Sequence, residues 1–178
     1  MVFSIIFCVQ VTPFLIWLKK IGGFMEIQTG LSDSSRSRVS EGLASLLADT
    51  YATYLKTQNF HWNVTGPEFF SLHILFEKQY SELAGHIDEL AERIRALGLF
   101  IDASFSGFKD LTAVKEEGRV LGSKEMIQEL VKAHEIVIRS ARNISQIAEK
   151  ENDAATVDLL GRGLNIHEKQ AWMLRSQV

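Results

Sequence analysis

Histidine and carboxylate side chains are the residues of this sequence that could carry chemistry. The chain of 178 residues has one cysteine, Cys8, which excludes a disulfide scaffold, a thiolate zinc site and a CxxC redox motif. It also lacks the motifs of a nucleophile elbow, a P-loop, a dinucleotide-binding glycine loop and an HExxH zinc site. The remaining candidates are His61, His73, Asp88 and Glu92, whose side chains suit metal ligation.

These four residues fall into two pairs. Asp88 and Glu92 are four residues apart in a helical pattern, so both carboxylates lie on one helix face and can share a cation. His61 and His73 flank a short turn and can approach each other. However, His73 and Asp88 are 15 residues apart on one predicted helix. That spacing is about 22 Å along the axis, so the two cannot bind one ion within a single chain.

A complete site of this kind therefore requires two chains. If the histidine end of one subunit faces the carboxylate end of another across a two-fold axis, two sites form per dimer. Mixed imidazole and carboxylate ligands with open positions favour redox iron over calcium or a closed zinc site. In the alternative interpretation each residue is structural, with Glu92 paired to Arg93 or Arg95 on a solvated face and both histidines partly buried.

Four long amphipathic helices are predicted to position these residues. Apolar residues at three- and four-residue steps predict one helix over about 40–62 and a second that starts at Gly66-Pro67-Glu68 and is closed by Gly98. A third is capped by Ser123, and a fourth follows Asn152-Asp153. Residues 98–122 break the pattern and contain one short candidate helix near 109–114. No segment alternates like a strand, so an all-α four-helix bundle of ferritin-like type is expected.

The first 24 residues form a separate apolar segment. Residues 1–18 are almost wholly apolar and end at Lys19-Lys20. The segment is interpreted as an extension upstream of a functional start at Met25 or as a signal anchor, for which its length is just sufficient. A cleaved secretory signal fits less well, because no basic residue precedes the apolar run.

The remainder of the chain is mildly acidic. The sequence has 19 basic and 22 acidic residues, and Lys19 and Lys20 are the only charged ones before Met25, so residues 25–178 carry a net charge of −5. This charge argues against a broad nucleic-acid surface and is compatible with attracting cations. Residues 25–39 are polar and are predicted to be a flexible lead-in to a domain over 40–178.

One combined motif within residues 59–98 is specific. It consists of a His-Trp-Asn-x-x-Gly turn from His61, a second histidine after 12 residues, an aspartate after 15 more and a glutamate after another four. With the ending HEKQAWMLR over residues 167–175, it resembles the Dps family, the mini-ferritins named as DNA-binding proteins from starved cells. The resemblance covers about residues 40–176 and implies a four-helix subunit with a short extra helix in the crossover.

The resemblance also implies an activity. Members form a hollow homo-oligomer of twelve subunits, a dodecamer, in which iron is oxidised from Fe²⁺ to Fe³⁺, preferably by hydrogen peroxide and otherwise by oxygen, and stored as ferric mineral. The ferroxidase sites lie at two-fold interfaces. Carried over to this sequence, His61 and His73 would come from one chain, and Asp88 and Glu92 from its partner.

Further residues acquire implied roles in the same way. Glu77 would assist a second, weaker iron, and Trp62 would intercept radicals beside the site or pack at the interface. Asp153 and Asp158 resemble acids that line a three-fold pore and draw cations inward, although a helix start alone would explain Asp153. The other histidines, which are His86, His134 and His167, fit no ligand set and are expected to be structural.

The alternative function is a DNA-compacting protection protein with little iron chemistry. The lead-in up to Ser40 has only Arg36 and Arg38 as basic residues, so weak duplex binding is expected. The resemblance implies a cytoplasmic protein, with association with the nucleoid left open. Stable membrane association of residues 25–178 is not expected.

Overall fold

The computed structural model describes residues 26–178, and this part of the chain forms five helices and no strand. The helices are α1 (Asp33–Asn63), α2 (Phe69–Ala96), α3 (Phe105–Leu111), α4 (Ser123–Lys150) and α5 (Ala154–Arg175). The apolar segment 1–24 and the expected start at Met25 lie outside the described residues. None of the described helices is long and apolar enough to cross a membrane.

The helices pack as two hairpins joined by a long crossover. α1 packs against α2 and α4, α5 packs against α4 and α2, and the short α3 in the crossover lies on α1. This arrangement confirms the predicted all-α four-helix bundle with a short helix between its second and third long helices.

The bundle has two clusters of buried apolar side chains. The larger one runs through the middle of all four long helices and includes Leu43, Leu90, Val137 and Leu160, none more than 1% exposed. The second cluster packs the end of α1 and the start of α2 against α4 and α5, and its main side chains are Phe60, Val64, Leu72, Phe76, Met126, Leu130 and Leu174. Burial of each side chain of this size stabilises the fold by about 1.5–3 kcal/mol. The turn between α1 and α2 is therefore anchored in the core at both of its ends.

α1 begins earlier than the predicted residue 40. The Ser32 side chain accepts a hydrogen bond from the main-chain N–H of Ser35 at 3.1 Å, which is an N-cap. Arg36 then donates to the carbonyl of Leu31 at 2.7 Å and pairs with Asp33 at 2.5 Å. Residues 33–39 are therefore helical rather than a flexible lead-in, because serines that suggest a linker here serve as a cap and as small buried residues.

The other helix ends also differ slightly from prediction. α2 begins at Phe69, after a turn in which the N–H of Phe69 bonds to the carbonyl of Gly66, so Pro67 lies just outside the helix. α3 covers residues 105–111 rather than 109–114, because the Ser104 side chain caps it. The cap residue of α4 is Gly122 and not Ser123, since the Glu125 carboxylate accepts from the N–H of Gly122 at 3.1 Å.

Candidate functional site

His61 and His73 lie face to face at the turn between α1 and α2. Their rings are stacked, with centroids 3.8 Å apart and planes inclined by 21°. His61 Nδ1 donates to the main-chain carbonyl of His73 at 2.8 Å, and His73 Nδ1 donates to the carbonyl of His61 at 2.9 Å. Because a carbonyl oxygen can only accept, both neutral rings carry their proton on Nδ1. Both Nε2 lone pairs therefore remain available to a metal ion.

The backbone on both sides of the turn holds this pair in place. The N–H of Val64 closes the last turn of α1 on the carbonyl of Phe60 at 2.9 Å. Gly66 then adopts φ +106°, a conformation that L side chains rarely adopt, and this reverses the chain direction. Phe60, Val64 and Leu72 are each about 1% exposed, so the segments that carry the two histidines are anchored in the core.

Aromatic rings surround the histidine pair. The Tyr80 and His61 rings form a T-shaped pair with centroids 5.3 Å apart, and the Phe69 ring lies 5.1 Å from the His73 ring. His61 is buried, whereas His73 is partly exposed. A ligand from outside the subunit therefore reaches the pair from the side of His73.

Asp88 and Glu92 lie on the exposed surface of α2, far from the histidines along the helix. Neither forms an ion pair within the described part of the chain. The alternative pairing of Glu92 with Arg93 or Arg95 is not formed. Arg93 instead binds Asp153 at 2.6 Å, and Arg95 donates to a main-chain carbonyl at 2.9 Å. Both carboxylates are thus free to accept a ligand from outside the chain.

The structure does not unite the two pairs within one subunit. No group of three histidine, cysteine, aspartate or glutamate side chains among residues 26–178 is arranged to hold a metal ion. Glu77 is exposed one helical turn after His73. Trp62 is 63% exposed beside His61, which leaves its indole ring free to contact another molecule.

The two predicted pore acids have different surroundings. Asp153 is 3% exposed, caps α5 by accepting from the N–H of Thr156 at 3.0 Å, and binds Arg93. Burial favours a higher pKa for Asp153, but the hydrogen bonds from Arg93 and Thr156 outweigh it and hold the pKa below its ordinary value. Asp158 is exposed and pairs with Arg162. The capping role therefore accounts for Asp153, and its pore role stays a prediction.

Three histidines meet in the bundle core, which spacing alone did not reveal. His86 of α2, His134 of α4 and His167 of α5 are at most 3% exposed. The Nδ1 atoms of His134 and His167 are 2.9 Å apart, so one donates to the other, and the ring of His86 lies 6.0 Å from that of His167. Burial lowers the pKa of all three, that of His134 to about 3. The available signal was the position of His134 and His167 within apolar helix stripes.

A cleft of about 420 Å³ opens between α1, α3 and the end of the crossover. Its lining includes Tyr51, Leu55, Lys56, Trp62 and Phe108. Trp62 thus connects the neighbourhood of the histidine pair to this cleft.

The sequence matches the model of the Ferritin-like domain over residues 40–178. Among curated proteins, it is 41% identical over 154 residues to an uncharacterized low temperature-induced protein of Nostoc sp., covering 85% of this chain and 86% of that protein. It is 39% identical over 146 residues to the DNA protection during starvation protein of Porphyromonas gingivalis, covering 82% of this chain and 92% of the relative.

The fold is also similar to that of solved structures. The Dps protein of Vibrio cholerae O1, described as a member of a broad superfamily of ferritin-like diiron-carboxylate proteins, superposes with a TM-score of 0.81. The two sequences are 33% identical, and the match covers 87% of this chain and 98% of the Vibrio chain.

Proposed function

This chain belongs to the Dps family of ferritin-like proteins, and we propose that it oxidises Fe²⁺ and stores the ferric product inside a shell of identical subunits. The observation that carries the proposal is the reciprocal hydrogen bonding of His61 and His73, which leaves the Nε2 atoms of the two stacked rings free to bind iron. Iron is the substrate of this reaction and, as mineral, its stored product.

The proposed site is shared between two subunits. One chain supplies His61 and His73, and its partner supplies Asp88 and Glu92 across a two-fold axis. The exposure of both carboxylates and their lack of an ion pair within the described residues support this assignment. The solvent-exposed Trp62 at the same edge also supports an interface there. A dodecamer, as expected from the family resemblance, is part of the proposal.

The chemistry follows from the donor set. Imidazole nitrogens retain affinity for Fe²⁺, while carboxylates stabilise Fe³⁺ more than Fe²⁺, so this ligation favours oxidation. Two ferrous ions supply two electrons, and hydrogen peroxide takes up these electrons with two protons to give two waters. No hydroxyl radical is released, which would protect the cell from oxidative damage.

Three further assignments belong to the proposal. Glu77 assists a second iron, because it is exposed one turn from His73. Asp158 contributes to a three-fold pore for cations, while Asp153 mainly supports the helix end that carries Asp158. A cytoplasmic location is also proposed.

The test is to add Fe²⁺ and then hydrogen peroxide to the purified shell while ferric absorbance is followed. A double variant with His61→Ala and Asp88→Ala should lose fast oxidation but still assemble. Glu149→Gln, an exposed carboxylate change on α4, is the matched control and should oxidise iron normally. Oxidation by the double variant at the rate of the control would refute the site.

DNA compaction is a separate question, because DNA protection appears in the name of the Porphyromonas relative. We propose that this chain protects by removing iron and peroxide, since the charge of −5 over residues 25–178 opposes phosphate binding. A gel-shift assay at physiological salt should show no stoichiometric retention of duplex DNA by the shell. Stoichiometric retention would establish compaction as a second function.

A further inference from the structure

All three tyrosines of the sequence form one series of ring contacts that starts at the histidine pair. The His61 and Tyr80 rings are 5.3 Å apart between centroids, and their planes are at 72°. Tyr80 meets Tyr54 edge to face at 5.9 Å, and Tyr54 meets Tyr51 at 5.8 Å. Each successive pair of rings is therefore within direct contact distance.

The far end of this series reaches the cleft on α1. The Tyr51 ring lies 4.8 Å from that of Phe108, and both residues line the cleft of about 420 Å³. Trp62, which the proposed two-subunit site places at the interface, lines the same cleft. The row of tyrosines thus connects the proposed iron site to a cleft beside the proposed subunit interface.

Packing alone does not explain why these residues are tyrosine rather than phenylalanine. All three rings are only partly buried, and none belongs to the two core clusters as a fully buried member. Within residues 26–178 a hydrogen bond is found for one of the three hydroxyls, that of Tyr54, which accepts from Gln58 Nε2 at 3.2 Å. A phenol differs from a phenyl ring also in that it can be oxidised by one electron with loss of its proton.

We propose that Tyr80, Tyr54 and Tyr51 form a relay that carries an oxidising equivalent from the His61–His73 pair to the cleft. The relay rests on the proposed function, because its oxidant is hydrogen peroxide at the iron site. It acts when only one ferrous ion is bound. The iron then supplies one electron and Tyr80 the second, so that peroxide and two protons still become two waters.

The products are one ferric ion and one neutral tyrosyl radical. The phenolic proton released by Tyr80 provides one of the two protons, and solvent provides the other. Electron transfer from Tyr54 to Tyr80, and then from Tyr51 to Tyr54, moves the radical toward the cleft. In each step the oxidised tyrosine releases one proton and the reduced tyrosine takes up one, either directly from its donor or through solvent. Reduction of Tyr51 by a one-electron reductant such as ascorbate, with uptake of one proton, completes the cycle.

The first experiment uses iron. The shell is loaded with one Fe²⁺ per subunit, mixed with peroxide and frozen rapidly for electron paramagnetic resonance, with ring-deuterated tyrosine to identify the signal. A tyrosyl radical is expected in the parent protein and should be lost in the triple variant Tyr51→Phe, Tyr54→Phe, Tyr80→Phe. Tyr80→Phe alone should remove most of the radical, because it interrupts the first step, and Phe108→Leu should leave it in place.

The second experiment is free of iron and tests conduction directly. In a Cys8→Ser background, Glu77→Cys on the exposed face of α2 is labelled with a ruthenium photosensitiser, three residues before Tyr80. A laser flash with an external quencher makes a one-electron oxidant there. Transient absorption should show a tyrosyl radical, and replacing Tyr51 with 3-aminotyrosine, which is more easily oxidised, should trap the radical at that far position. Adding Tyr80→Phe to this protein should abolish the trapping.

The two experiments separate failure of the relay from failure of the proposed function. If peroxide fails to oxidise iron, the proposed function is wrong, and the flash experiment alone decides whether the relay exists. Oxidation of iron without any tyrosyl radical overturns the relay. So does trapping at position 51 that persists in the Tyr80→Phe protein.

Discussion

His61 and His73 fix each other's tautomer, because each ring donates its Nδ1–H to the main-chain carbonyl of the other across the turn between α1 and α2. The donors are side chains and the acceptors are backbone, so the arrangement depends on the turn as much as on the rings. The result is two stacked rings whose Nε2 lone pairs are available before any metal arrives.

A mixing experiment tests whether the site is shared between subunits. The single variants His61→Ala and Asp88→Ala should each be inactive as pure shells, because every site lacks one ligand. When both are unfolded together and reassembled, each mixed dimer contains one intact site and one doubly altered site. Random pairing should therefore restore about one quarter of the parent oxidation, measured by stopped-flow ferric absorbance.

If the whole site lay within one chain, mixing would restore no oxidation, because neither variant chain has a complete ligand set. Absence of recovery in shells that demonstrably contain both variants would contradict the shared site. A mixture of the two pure shells without unfolding is the control and should stay inactive.

The buried histidines predict a loss of stability in mild acid. Burial lowers the pKa of His134 to about 3 and moves that of His167 well below its ordinary value. In the unfolded chain both take up protons below about pH 6.5, so stability is full above that value and falls as the pH drops toward 3. The free energy of unfolding should decrease by about 1.4 kcal/mol per pH unit for each histidine.

Urea denaturation at fixed protein concentration, from pH 7 down to pH 4, measures this decrease. His134→Asn keeps a polar group that can bond to His167 and removes one titrating group. Its denaturation midpoint should therefore depend less steeply on pH than that of the parent. An unchanged dependence would show that other groups control the acid response.

Asp153 should matter for stability far more than Asp158. Asp153→Ala removes both the cap of α5 and the partner of Arg93, which should cost about 3 kcal/mol. Asp153→Asn retains the cap and should cost about half of that. Asp158→Asn, on the exposed surface of the same helix, should leave thermal unfolding nearly unchanged, and its effect should appear in the rate of iron uptake.

Asp49 holds the crossover to α1. Its carboxylate accepts from Thr112 Oγ1 at 2.9 Å and from the N–H of Ala113 at 2.7 Å, both at Oδ1. Burial raises the pKa of Asp49 against the opposing effect of these hydrogen bonds, so an amide that keeps the same oxygen should be tolerated. Asp49→Asn should change stability by less than about 1 kcal/mol, whereas Asp49→Ala should cost about 2–3 kcal/mol.

Limited proteolysis gives an independent measurement for Asp49. The Asp49→Ala protein should be cut faster within residues 112–121 than the parent, while the Asp49→Asn protein should be cut at the parent rate. Equal cutting of all three would show that other contacts hold the crossover.

Local residue spacing was enough to predict the four long helices and the closeness of His61 and His73. Both depend on local spacing, because a 3.6-residue period defines a helix face and a short turn limits how far its ends can separate. The predicted start of α1 near residue 40 was wrong, since a serine that caps a helix, as Ser32 does, cannot be told by composition from a serine in a linker.

Contacts between side chains of different helices could not be predicted from residue spacing and are seen only in the folded bundle. The contact of His134 with His167, the ion pair of Arg93 with Asp153, and the series of ring contacts from Tyr80 to Tyr51 each join residues whose partners depend on how helices rotate and pack. Helix rotation is set by the whole buried surface rather than by any single residue, so spacing along the chain carries little information about these contacts.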